Sequence, residues 1–344
     1  MMQLRKLYRE VETILNKVDF EQIVPGFHRC RFALYTQEEI CLDGQMMPYN
    51  EQFMGNTSLC YDGEYIAIWN VGLDGVEDRE ELAASMVHEM FHCHQNALGE
   101  KRFPSDLKLL AYPDDAENLA RKYNENCALA DAYEHRDADA LARFAAIRQM
   151  RLAQYPDMVR EELKAETLEG MAEYAGMRAL GMIAPEKFES KVRDYLRRLR
   201  AESEQQFDIR RISYFVGAVF FLCRNRLGYR VRNEIGSELT AYEQNPVTPA
   251  AEVTVQPSPF VETTYAKLVG DRKRMIDQHI AASVYTPCIG MICGYDPMNM
   301  FRVGKHIYCK YIVFLKVADE VQRHQRSIVL ELKDGSENEI TGYY

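Results

Sequence analysis

The stretch Val87-His88-Glu89-Met90-Phe91-His92-Cys93-His94-Gln95 decides how this chain is read. It contains H-E-x-x-H, and the residues around it form a helix with clear ends. Asp78 and Glu81 fit a capping box and Gly99 suits the position just past the last turn, so the helix is expected over about 79–98. At helical spacing Leu82, Met86, Met90 and Ala83, Val87, Phe91 make an apolar face, while Ser85, His88, His92 and Gln95 make a polar stripe. Residues four apart share a face, so His88 and His92 can present two imidazoles to one metal ion, with Glu89 beside them to accept a proton. Two histidines on a mostly apolar helix are costly to bury unless something binds them. His94 sits about 200° around the helix from His92 and cannot join the same ion.

Outward from that helix the pattern is mixed. Before it, Leu4, Leu7, Tyr8, Val11, Ile14, Leu15 and Val18 recur at helical spacing over about 2–18, and short β-like stretches follow at Arg31–Tyr35 and Glu64–Val71. After it, about 114–243 reads almost entirely helical, with breaks near Asp137, Pro156, Pro185, Glu204 and Gly228. One-sided apolar faces mark the runs 138–155 and 158–180. Asn245–Phe260 carries Pro246, Pro249, Pro257 and Pro259, and is the best boundary in the chain. Beyond it come a helix over about 263–283 and strands at Cys288–Cys293, Lys305–Val317, Ser327–Leu332 and Glu339–Tyr344, the last two joined by an Asp334-Gly335 turn. The chain is therefore expected to be α+β and predominantly helical: a region over 1–245, a Pro-rich linker over 246–260 and a smaller, mainly β region over 261–344.

The 344 residues suffice for a sizeable core, and a formal charge of −10 leaves no basic stripe for a phosphate backbone, so no nucleic-acid partner is expected. The basic, amphipathic start lacks a signal peptide's apolar stretch, and the longest apolar run, Tyr214–Cys223, ends at Arg224. No membrane association and a cytoplasmic location are expected. Nine cysteines without a C-x-x-C pair read as reduced, buried thiols.

A catalytic zinc site takes three protein ligands and leaves one position open, so a third ligand is needed. No metzincin pattern follows His92. A carboxylate is instead offered by Glu166-Thr167-Leu168-Glu169-Gly170-Met171-Ala172-Glu173-Tyr174, inside a helical run. In H-E-x-x-H together with Glu169-Gly170-x-Ala172-x-Tyr174 the chain resembles the gluzincins, the metallopeptidases whose third ligand is a Glu on a later helix. The second element is similar to the E-G-x-A-x-Y of the aminopeptidase-N-like branch.

The resemblance implies a zincin-like catalytic region, one Zn²⁺ held by His88, His92 and Glu169, and peptide-bond hydrolysis with Glu89 as general base. Glu166 is the competing ligand at i−3. Glu173 would hydrogen-bond a ligand histidine and fix its tautomer. Tyr214, Tyr229, Tyr242 and His279 are the candidates to stabilise an oxyanion, with Tyr214 at the most suitable distance along the chain. Gly170 would let its helix approach the metal-site helix, and Glu64–Val71 would be the sheet edge beside that helix, free to pair with an extended peptide. The chain departs from the family in the length between His92 and Glu169, which demands a helical insertion over about 100–160, and in lacking the G-x-M-E-N element that holds a free N-terminus. A peptide or protein substrate is expected; a catalytically silent binding or regulatory protein of the same fold, or a metal hydrolase of a non-peptide amide, are the alternatives.

Overall fold

The computed structural model describes residues 2–74, 78–112, 115–256 and 258–344; Pro257 of the expected linker lies outside them. The first helix, α1 (Met2–Leu15), turns Leu4, Tyr8, Val11 and Leu15 into the core, where Tyr8 stacks on Phe32. A five-stranded sheet follows, built from β1 (Phe32–Tyr35), β2 (Glu39–Leu42), β3 (Gln45–Pro48), β4 (Thr57–Tyr61) and β5 (Glu64–Asn70) in the order β3-β2-β1-β5-β4. Only β1 and β5 run parallel. Alternation along the strands divides the sheet between two cores: Phe32, Leu34 and Ala67 face the helices, while Ala33, Tyr35, Ile66 and Ile68 pack on Phe53 behind it. Glu64–Asn70 is thus an interior strand. The edge beside the helices is β4, which the sequence reading did not identify, and this corrects the expectation.

The H-E-x-x-H helix, α2 (Arg79–Ala97), begins where expected, with Asp78 accepting from the Glu80 and Glu81 N–H groups, and is followed by Gly99 at φ 74°. Its six apolar-face residues are all buried. The long intervening segment forms a helical hairpin, α3 (Ala116–His135) and α4 (Ala138–Gln154). Next, α5 (Pro156–Ala165) runs without interruption through a π turn, Glu166–Gly170, into α6 (Met171–Ile183), and α7 (Pro185–Arg200) and α8 (Ile209–Arg226) complete the helical body.

Two close helix crossings set the geometry. A Cβ on Gly176 would lie 2.9 Å from the Ala84 carbonyl of α2, so it is Gly176 that lets α6 approach the H-E-x-x-H helix. Gly170 abuts Gly217 of α8 instead, which corrects the role expected for it.

The proline-rich segment is strapped onto the helical hairpin rather than left free: Ala250 N–H donates to Ala142 O at 3.0 Å, and Asn124 and Gln256 exchange two hydrogen bonds of 3.0 Å. Helix α9 (Pro259–Ala282) then leads into an antiparallel seven-stranded sheet with its own core of Ile307, Val313, Leu315, Ile328, Leu330 and Ile340. The fold is α+β, with a helical body and a C-terminal sheet. Among the described residues no helix is long and apolar enough to cross a membrane. The nine cysteines are unpaired, but Cys60 and Cys293 are exposed rather than buried.

Candidate metal centre

Helix α2 delivers His88, Glu89 and His92 to one end of a cavity of about 300 Å³, and the π turn and α6 deliver Glu169 and Glu173 to the same cavity. The His88 and His92 Nε2 atoms lie 3.1 Å apart, and Glu169 Oε2 is 3.2 Å from His92 Nε2 and 3.7 Å from His88 Nε2. A tetrahedral zinc with bonds of about 2.0–2.1 Å spaces its ligand atoms by about 3.3 Å. The donor set is matched to such an ion.

The outer partners determine which nitrogens face inward. Glu173 Oε2 sits 2.9 Å from His88 Nδ1; an ionised carboxylate only accepts, so Nδ1 carries the proton and Nε2 presents its lone pair. Gln95 Oε1 sits 2.8 Å from His92 Nδ1, and the amide's orientation is fixed because its Nε2 donates to the Thr167 and Leu168 carbonyls at 3.4 and 3.1 Å. His92 Nδ1 therefore carries its proton too. Two ring lone pairs and a carboxylate oxygen converge, and a cation satisfies all three at once.

The electrostatics show a site that attracts positive charge: without a metal the His88 ring takes up a second proton, on Nε2, which a metal ion would displace. Burial opposes charge on the His88 ring, but Glu169 and Glu173 outweigh it and hold its pKa at about 10. Burial would likewise raise the Glu169 carboxyl, yet His92, His88 and Arg210 hold it well below the usual carboxylate range. Glu173 is largely shielded from solvent and still held low, by Lys191 at 3.1 Å, by His88 and by the Tyr195 hydroxyl. Glu89 is pushed up, mainly by burial, in the direction that suits a group exchanging a proton near neutral pH.

Glu166, the competing ligand, is elsewhere. Its carboxylate pairs with Arg148 through two bonds of 2.7 Å, inside a buried cluster with Glu125, Glu162, Lys122 and Arg151. In a regular helix three residues span about 300°, which leaves i and i+3 on similar faces. A π turn rotates less per residue, so three steps fall further short of a full turn and the two side chains point further apart, Glu166 toward the hairpin and Glu169 toward the imidazoles.

Of the four oxyanion candidates only Tyr214 lines this cavity, its ring parallel to His88 with centroids 6.0 Å apart. Tyr242 packs on Phe220 and Arg148, Tyr229 on Arg224, and His279 against the C-terminal sheet near Tyr344 O. His94 packs between Phe27 and Phe91, away from the cavity. Two supporting roles escaped the sequence reading. Gln95 was visible on the polar stripe but without a role. Arg210 donates to Glu169 Oε1 at 2.7 Å, and its signal was its place one turn before Tyr214.

No protein-family model matches the chain, and no curated protein or solved structure does either.

Proposed function

We propose that the protein is a zinc-dependent hydrolase of peptide bonds, of gluzincin type. The observation that carries the reading is the convergence of His88 Nε2, His92 Nε2 and Glu169 Oε2 with each atom's orientation fixed from behind and with Glu89 buried alongside. A divalent ion held by those three atoms supplies Lewis acidity, which polarises a carbonyl and acidifies water. The ligand set suits Zn²⁺.

The chain's own residues do the rest. Glu89 accepts the proton of the attacking water and passes it to the departing amine nitrogen, a transfer helped by its raised pKa. Tyr214, at the cavity wall, donates its hydroxyl to the carbonyl oxygen as negative charge builds there. Asn56 and Thr57, at the start of the edge strand β4, line the same cavity, so an extended substrate can pair with that strand as it reaches the metal. Asn96 Nδ2 donates to Ser58 Oγ at 3.2 Å and ties the edge to α2.

The test is zinc content and cleavage of a quenched peptide library by native protein and Glu89→Gln. The expected result is one zinc per chain in both and a rate lower by about 10²–10⁴-fold in the variant. Equal activity in both removes Glu89 from the chemistry. Stoichiometric zinc with no cleavage by either protein favours the silent binding protein or a non-peptide substrate.

A further inference from the structure

A second cavity, of about 290 Å³, lies between the helical body and the C-terminal sheet and shares no lining residue with the metal-centre cavity. Three guanidinium groups line it, from Arg210, Arg272 and Arg302, with Asp106 and Asp208 as the acids. Both acids already have partners, Asp106 within the cavity and Asp208 outside it. Asp106 lies 3.0 Å from Arg210 Nε, and Asp208 accepts from the Arg211 side chain at 3.1 Å.

Arg272 is only partly compensated: burial outweighs the nearby charges of Asp208 and Glu204 and lowers its pKa. Among the described residues Arg272 has no hydrogen bond or ion pair; its guanidinium lies over the Phe301 ring at 5.4 Å, which leaves the N–H edge available. Arg302 donates Nε to Gly304 O at 2.8 Å and, among the described residues, pairs with no carboxylate. Phe207, Met300 and Phe301 supply apolar wall. Half-buried cations with incomplete counter-charge are costly, and a concave space that joins cationic donors to some apolar wall is a form that ligand pockets take.

We propose that this cavity is a second ligand site, for a small molecule with a carboxylate or phosphate group and a compact apolar body. Arg272 and Arg302 hold the anion, and planar guanidinium forks suit both kinds of oxyanion. The volume sits at the lower end of ligand pockets, which limits the occupant to about the size of a single substituted ring. Arg210 separates this site from the metal centre, since the same side chain bonds Glu169.

The experiment is calorimetric titration of the full-length protein, zinc-loaded and zinc-free, with phenyl phosphate, benzoate and neutral benzyl alcohol. One of the two anions is expected to bind saturably at one per chain with or without zinc, and to bind more tightly than benzyl alcohol. Arg272→Gln and Arg302→Gln are each expected to weaken it by about tenfold or more, while Arg272→Lys keeps part of the affinity. Circular dichroism and the thermal midpoint check that the variants fold. Comparing the two anions separates a carboxylate ligand from a phosphate one. Binding of neither anion overturns the proposal, as does binding that survives both Gln variants or disappears with the zinc, which would assign it to the metal centre. None of these readouts depends on hydrolysis, so they stand apart from the test of the proposed activity.

Discussion

Among the described residues two largely buried triads of metal-ligating residue types stand out: His88, His92 and Glu169 in one, and Glu125, Glu162 and Glu166 in the other. In each, three candidate ligand atoms fall within 4.8 Å of one another. In the second, the chain supplies the cations itself. Arg148 bridges Glu125 and Glu166, Arg151 bridges Glu125 and Glu162, and Lys122 reaches all three carboxylates. In the first, Arg210 touches only the outer oxygen of Glu169, and with neutral rings the three inner atoms are all acceptors, left to a proton or a metal ion. Proximity of ligand atoms is therefore a poor sign of a metal site by itself. The discriminating feature is whether protein cations already fill the space between them.

The comparison can be broken by removing cations from one side and adding them to the other. The largest expected effect is that of Arg148→Met, which leaves Glu125 and Glu166 buried without their shared guanidinium; urea unfolding should show a loss of about 3–5 kcal/mol. On the other side, zinc at 100–1,000 times its dissociation constant should stabilise the metal-free protein by about 2.7–4.1 kcal/mol, read as a raised thermal midpoint that EDTA reverses. Gln95→Leu sharpens the contrast, because it removes the acceptor that orients His92: zinc affinity, measured against a chromophoric chelator, should fall by about 10–100-fold.

The smallest effect is in pH. Burial would raise the carboxyls of Glu125 and Glu162, but Arg148, Arg151 and Lys122 outweigh it and hold both below the ordinary range. Folded-state pKa values below the unfolded ones mean that this stabilisation is complete above the ordinary carboxylate range and declines as pH falls through and beneath it. The unfolding free energy of the metal-free protein, from urea titrations, should fall by about 1.4 kcal/mol per pH unit for each of these two groups as pH drops from the ordinary carboxylate value toward the depressed one; Glu166, whose carboxyl burial pushes up, acts in the opposite sense.

Much of this was legible from local pattern. Capping at Asp78, the two-sided character of α2 and the breaks at Asp137, Pro156 and Pro185 follow from short-range chemistry, and the helices start there. Strand β4 was not legible, because an edge strand buries little of either face and Thr57–Tyr61 shows no apolar alternation. Nor was the π turn, since a shifted hydrogen bond inside a helical run leaves the hydrophobic pattern intact.

That two imidazoles and a carboxylate share one turn of a capped helix follows from local pattern alone, because helical periodicity and capping act over a few residues. Which glutamate meets those imidazoles is settled by packing between distant segments. That choice depends on Arg148 drawing Glu166 into the helical hairpin and on Gly176 letting α6 close on α2, contacts between residues distant along the chain that no local pattern encodes.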